Sequence, residues 1–355
     1  MRAISIEKAK PGMIVGKNIY NANGSVLLSQ KAILTERYID RLKSLGIMAL
    51  YITSEYCDNL VFEDVISEKT RNETMAVTRK SLKALKSSEK LHVRKVTDII
   101  DRIIDEIIGS KDLLSSLIDI RALNDYLFSH SVNVAVLSLM TGLHLGIQQQ
   151  KLRYLGMGSL FHDMGKIAFD NLYKNQDEFI EFEEQVKKHT EYGFEMLRKT
   201  EGVSLLVAHI AFQHHEHFDG SGYPRGLAGE EISLLARVVA VASSYDNLTS
   251  DTPAKPRILP QHATEYLTVK SGTVFDPEVV KAFISNIALF PIGTLVLLNS
   301  GERGIVIKSH KEFPTRPLVK VVKDHLGKLV NPPFDIDLMK SPTSFLERVL
   351  EEEEI

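Results

Sequence analysis

Residues 152–166 read LRYLGMGSLFHDMGK. An apolar, helix-like run ends on His162 and Asp163, with Lys166 three residues further on. Burying both polar groups at the end of such a helix costs several kcal/mol if neither finds a partner. A metal ion is one partner that satisfies several such groups together, so the question is what else the surrounding helical sequence offers.

Three further polar clusters lie in the same apolar background: HSVN at 130–133, KKHTEYG at 187–193 and FQHHEHFDGSGYP at 212–224. Taken alone, His130 reads as a satisfied core histidine, and His189 is an even choice between core and ligand. His162 and Asp163 with Lys166 favour function, and His214 and His215 before a glycine-rich turn favour it more strongly. Four such clusters in one helical region make coincidence a poor account. His144, His209 and His217 read as structural or surface residues, as do His92, His262, His310 and His325.

The donor set limits the chemistry. Imidazole nitrogens suit Fe, Mn, Zn, Ni or Co, and a carboxylate can bridge two such ions. With the single cysteine, Cys57, neither a thiolate zinc cluster nor an intramolecular disulfide can form. The pattern therefore favours a catalytic centre over a structural zinc site. A carboxylate-bridged pair holds its ions ~3.5–4 Å apart and can generate hydroxide for in-line attack on phosphorus. Asp163 is the natural bridge. Lys166 lies on the same helical face and can present its ammonium to phosphate oxygens. Gly165 between them leaves room for close approach of substrate or backbone.

The bulk composition fits that picture. Of 355 residues, 44% are hydrophobic and 25% charged, a globular balance with length for a large domain and appendages. The net charge of −3 gives no electrostatic case for DNA, but it leaves a small anionic ligand open. The start of the chain, MRAISIEKAKPGMIVGK, lacks the apolar core of a signal peptide. No apolar run approaches the ~20 residues that span a bilayer. The expectation is a soluble, cytoplasmic protein.

The helical region is flanked on both sides. Residues 1–55 carry short apolar runs, with a hairpin expected at Asn23-Gly24 and a helix capped by Thr35. A strand follows at MALYIT. Residues 56–115 form a helical linker in which Val96, Ile99, Ile100, Ile103, Ile104, Ile107 and Ile108 make one apolar stripe. That stripe is expected to pack on the core, although it also suits pairing of two chains. The catalytic region spans 116–290, and residues 291–355 form a β-rich extension with a hairpin around Gly301 to Gly304. The fold class is thus mainly α, an all-helical core with small β-rich segments at each end.

HSVNVA, HDMGK, HTEYG, HHEHFDGSGYP and ARVVAVASSYDNL, in this order, resemble the motif series of the HD-GYP domain. That group belongs to the HD phosphohydrolases and hydrolyses the bacterial messenger cyclic di-GMP. The resemblance implies an HD-type core and two divalent ions, Fe or Mn before Ni, Co or Zn. By it, the first ion is held by His130, His162 and Asp163 with a late aspartate. The second shares Asp163 and takes His189, His214 and His215. Lys166 contacts the scissile phosphate. Asp219, Gly220, Gly222, Tyr223 and Pro224 shape the substrate pocket, and Arg237 and Lys255, from the later motifs, are expected to bind substrate as well. Some relatives hold a third ion through a glutamate at the position of Tyr126, so two ions are expected here.

The chain departs from the family at two places. The late aspartate is replaced by Ser243, and only the motif's second aspartate survives, as Asp246. A hydroxyl is a much poorer ligand than a carboxylate, so the first ion is expected to bind more weakly. Asp246, nearly one helical turn on, is the residue that could reach inward instead. Where the family has Arg-Pro-Tyr-Lys, this chain has DTPAKP, with Thr252 in the arginine's place. The expected activity is hydrolysis of cyclic di-GMP, or a related cyclic dinucleotide, to linear dinucleotide or GMP. The alternative is a catalytically degenerate module that binds a ligand or a signalling-protein partner, as a single chain or a homodimer.

Overall fold

The computed structural model describes residues 2–20, 26–47, 49–53, 64–87, 89–110, 114, 126–169, 186–250, 257–350 and 354. Its N-terminal part is built on two short antiparallel pairs. Strand β1 (Arg2–Ser5) pairs with β4 (Ala49–Ile52), and β2 (Ile19–Tyr20) with β3 (Val26–Leu28). The β2–β3 pairing is the hairpin expected around Asn23-Gly24, whose turn lies outside the described residues. Helix α1 (Glu36–Ser44) starts where Thr35 accepts a hydrogen bond from the Tyr38 amide. Its Ile39 and Leu42 join Ile4, Val15, Leu34 and Leu50 in a small separate core.

The helical core contains α2 (Glu68–Lys86), α3 (Val93–Gly109), α4 (Tyr126–His144), α5 (Gln149–Phe161) and α6 (His189–Arg198). It continues with α7 (Leu205–Gln213), α8 (Leu234–Thr249), α9 (Pro260–Val269) and α10 (Pro277–Ile284). The isoleucine stripe of α3 is buried from Val96 to Ile107 and packs into the same core as α4 and α5, while Ile108 faces solvent. Helices α2 and α3, read from sequence as a linker, are thus part of the core wall.

Helix α4 is the axis of this core and packs on α5, α8 and α10. It buries polar residues as well as apolar ones: Ser129, His130, Ser131, Asn133, Ser138 and Thr141. Buried polar groups need hydrogen-bond partners. Ser131 and Thr141 donate back to carbonyls one turn earlier, at Leu127 and Leu137. His130 and Asn133 look outward for theirs, and this places them in the site.

The C-terminal extension is a five-stranded antiparallel sheet in the order β8-β7-β6-β5-β9. Its strands are β5 (Leu295–Leu298), β6 (Arg303–Lys308), β7 (Leu318–Lys323), β8 (Leu329–Asp337) and β9 (Leu346–Val349). The expected hairpin around Gly301 joins β5 to β6. Val296, Val306, Val319 and Val321 form its core, apart from the helical one. Among the described residues no helix is long and apolar enough to cross a membrane.

Candidate metal centre

The ends of helices bring the motif histidines together. His162 caps the C-terminus of α5, His189 opens α6 and His214 caps the C-terminus of α7. In all three, Nδ1 faces the carbonyl three residues earlier: Ser159 at 2.8 Å, Val186 at 2.5 Å and Ala211 at 2.9 Å. A carbonyl only accepts, so Nδ1 carries the proton and Nε2 presents a lone pair. His130, in mid-helix, has Nδ1 2.7 Å from Asp246 Oδ2 instead, with the same consequence for its Nε2.

These lone pairs converge on Asp163, whose two oxygens divide them. Oδ2 lies 3.7 Å from His130 Nε2 and 3.5 Å from His162 Nε2. Oδ1 lies 3.3 Å from His189 Nε2 and 3.5 Å from His214 Nε2. Two groups result that could each hold an ion: His130, His162 and Asp163, and Asp163, His189, His214 and His215. Each carboxylate oxygen serves one group, which is what a bridging ligand requires.

The donor atoms fit metal ions better than they fit one another. His189 Nε2 and His214 Nε2 stand 3.3 Å apart, and neither has a proton to offer the other. Asp163 Oδ1 is buried between them without a hydrogen bond. Such a gathering of buried acceptors is costly unless a cation satisfies it. Protonation is not the remedy, because burial pushes the His162, His214 and His215 imidazoles below their ordinary value, His162 and His215 far below. Burial alone would push the Asp163 carboxyl up, but the Lys166 ammonium beside it holds it well below the usual carboxylate range. The site is therefore ionised at the Asp163 carboxylate and neutral at His162, His214 and His215, the protonation pattern of metal ligands.

Lys166 stands where the sequence suggested. Asp163 and Lys166 lie three residues apart at a 3₁₀ turn, Met164–Phe169, in which such positions eclipse. The Lys166 ammonium pairs with Asp163 Oδ2, and the side chain is 26% exposed. Gly165 serves backbone approach, since a Cβ there would stand 1.9 Å from the His189 carbonyl oxygen.

The loop after His215 folds back on the histidines. The Tyr223 amide donates to the His215 carbonyl at 3.1 Å, and the two rings stack at 4.7 Å. Gly222 passes so close that a Cβ would stand 2.2 Å from the His217 nitrogen. Asp219 is exposed and its Oδ1 caps the Ser221 amide, which shapes the turn through Gly220. What fastens the loop was missed in the sequence: buried Glu216 accepts from the backbone amides of Arg225 and Leu227, at 2.8 and 3.0 Å. Its position inside the HHEH run was the available signal.

At the two departures the structure is specific. Ser243 is buried on α8 with Oγ 3.4 Å from His130 Nε2 and 3.5 Å from His162 Nε2. It occupies the side of the first ion group with a neutral oxygen. Asp246 does not reach inward to replace the missing carboxylate. Its Oδ2 is engaged on the far nitrogen of His130, and its Oδ1 accepts from Asn133 Nδ2 at 2.8 Å. Arg237, expected near substrate, is found paired with Asp276 at 2.5 Å, which ties α8 to the N-cap of α10. Thr252 and Lys255 lie outside the described residues, as does the side chain of Tyr126.

Known families and proteins resemble this chain over most of its described length. Residues 113–279 match a family model described as an HD domain. Residues 295–355 match one described as a KOW domain associated with the HD domain. The cyclic di-GMP phosphodiesterase PA4108 of Pseudomonas aeruginosa is 35% identical over 244 residues, 68% of this chain and 59% of that protein. The cyclic di-GMP phosphodiesterase response regulator RpfG of Xanthomonas campestris is 41% identical over 143 residues, 39% of this chain and 38% of that protein. The 3'3'-cGAMP-specific phosphodiesterase 3 of Vibrio cholerae is 30% identical over 184 residues, 51% of this chain and 40% of that protein. The chain thus spans about two fifths to three fifths of the length of these relatives. Its helical core is an HD domain of the HD-GYP type.

Proposed function

We propose that the chain is a metal-dependent phosphodiesterase that hydrolyses cyclic di-GMP to the linear dinucleotide or GMP. The observation that carries this is Asp163, whose two oxygens face two separate histidine groups at 3.3–3.7 Å. In the proposal His130, His162 and Asp163 hold one divalent ion, and Asp163, His189, His214 and His215 hold the other, with Fe or Mn the ions best suited. Bound there, such ions polarise a phosphoryl oxygen and lower the pKa of water.

The remaining work falls to the protein. Lys166 is the one ammonium paired with the bridging carboxylate among the contacts described, and it retains a partly exposed face. It is placed to neutralise phosphoryl oxygens as charge builds on them. Gly220, Gly222, Tyr223 and Pro224 form the pocket wall, held against the ligands by Glu216. Asp219 sets the turn. Arg237 is assigned to holding α8 on α10 rather than to substrate.

A second reading rests on Ser243. With a hydroxyl on the first ion group, the chain is a weakened module that binds cyclic dinucleotide and passes the signal on, with little turnover. The test is metal analysis and cyclic di-GMP turnover on one preparation, with 3'3'-cGAMP as a second substrate. About two ions per chain and release of linear product are expected. Protein that stays without metal and inert after Fe, Mn or Ni addition overturns the proposal. Tight binding of the dinucleotide without turnover selects the second reading.

A further inference from the structure

The aspartate on His130 is the inner end of a longer buried chain. Asp246 is 2% exposed and its Oδ1 accepts from Asn133 Nδ2 at 2.8 Å. Asn133 is fully buried, and its Oδ1 accepts from Arg71 Nη1 at 2.7 Å. Arg71 is 9% exposed, and its Nη2 reaches Asp64 Oδ2 at 3.1 Å. His130 and Asn133 are three residues apart on α4, so they present to one side of the helix. Arg71 belongs to α2, which precedes the HD domain match at residue 113.

The roles within this chain are fixed by donor and acceptor chemistry. Arginine only donates, so Asn133 must turn its oxygen to Arg71 and its amide nitrogen to Asp246. The amide donor in turn holds the Asp246 carboxylate in one orientation, with Oδ2 on His130 Nδ1. The imidazoles of His162, His189 and His214 rest on main-chain carbonyls and need no such support. Of these four, His130 alone is hydrogen-bonded at Nδ1 by a side chain, and the outermost residue behind it comes from α2.

We propose that Arg71 is a positioning residue for the first ion group, through which the helix ahead of the HD domain sets the affinity of His130, His162 and Asp163 for metal. It touches neither ion nor substrate. It holds Asn133, which holds Asp246, which holds His130. Movement of α2 relative to α4 changes the first ion group and leaves the second, on Asp163 Oδ1, as it was. The N-terminal region thereby has a physical route to the metal centre. The inference rests on the two-ion reading above, but its first test does not.

That test uses the metal-free full chain with ¹⁵N-labelled histidine. The Nδ1–H resonance of His130 is expected to shift or broaden in Arg71→Met and to recover in part in Arg71→Lys. The resonances of His162, His189 and His214 should stay in place. All four moving together, or none, overturns the proposal whether or not the chain binds metal. The second measurement titrates Mn(II) alone into the same proteins and follows free Mn(II) by electron paramagnetic resonance. One of the two binding constants should weaken about tenfold, the lower end for partners of metal-ligating histidines, while the other stays within about twofold. Equal weakening of both, or of neither, refutes the route from α2. Wild-type protein that binds no Mn(II) refutes the two-ion reading instead, and the resonances still decide the role of Arg71. If Arg71→Met fails to fold, Asp64→Asn removes only the outer partner and serves as the milder variant, read by the same outcomes.

Discussion

Ser243→Asp is the perturbation with the clearest outcome. The hydroxyl it replaces lies 3.4 and 3.5 Å from the Nε2 atoms of His130 and His162, so the longer side chain brings a carboxylate oxygen into the first ion group. At ~4 Å and an effective dielectric constant of ~20, each unit of charge on the ion contributes ~4 kcal/mol to that carboxylate. Burying the carboxylate takes several kcal/mol of this back, because Ser243 is only 6% exposed. For a dication the attraction is ~8 kcal/mol, so a burial cost of ~5–7 kcal/mol leaves a net gain of about 1–3 kcal/mol, roughly ten- to hundredfold in affinity. Titration of Mn(II) into metal-free protein should show the weaker of two binding constants tightening by that factor, with the other unchanged. Turnover of cyclic di-GMP at limiting metal should rise in parallel. An unchanged pair of constants in a folded variant refutes the argument, since the serine would then not be what weakens the site.

Other outcomes follow from the same geometry. Asp163→Asn removes the charge shared by both groups, and the chain should lose both ions and all turnover while Lys166 loses its partner, as metal analysis would show. Glu216→Gln replaces a buried carboxylate that accepts from two backbone amides, at a cost of about 1.5–3 kcal/mol in a denaturant melt, with KM for the dinucleotide rising as the loop loosens. Gly165→Ala sets a Cβ against the His189 carbonyl and should lower both melting temperature and metal content, since the turn carrying Asp163 must move. The metal-free chain should also be sensitive to acid. His162, His214 and His215 have folded-state values below the ordinary 6.5, so the unfolded chain takes up protons that the folded one refuses. Stability is therefore level above about pH 7, falls as pH drops through 6.5, and recovers when saturating metal is present. Melts at pH 7.5 and 5.5 check this.

The helical core and the side chains that gather on Asp163 were legible because their signals are local. HDMGK and HHEH place candidate ligands next to one another, and the isoleucine stripe of α3 repeats at helical spacing. The partners that orient the ligands were not legible, because they are distant in sequence. Asp246 meets His130 across 116 residues and Arg71 meets Asn133 across 62, with nothing in either stretch to signal the other. Spacing left open whether Asp246 reaches the ions; only packing of α8 on α4 shows it on the outer nitrogen of His130. The ion pair of Arg237 was hidden for a related reason. A cation in a motif suggests an anionic substrate, yet its partner Asp276 caps a helix 39 residues later. Strands β1 and β9 have only four residues each and are defined by what they pair with, not by their own pattern.

The way the histidines are anchored also bears on how such a centre can drift. Three imidazoles are aimed by carbonyls of the main chain, which every amino acid supplies, so no neighbouring substitution can delete those anchors. His130 is aimed by a carboxylate, an amide and a guanidinium, each of which a single codon change can remove. Mutational erosion of this fold is thus directional. It can proceed stepwise on the His130 and Ser243 side while the half built on His189, His214 and His215 keeps its shape, leaving a graded series of sites between an enzyme and a receptor.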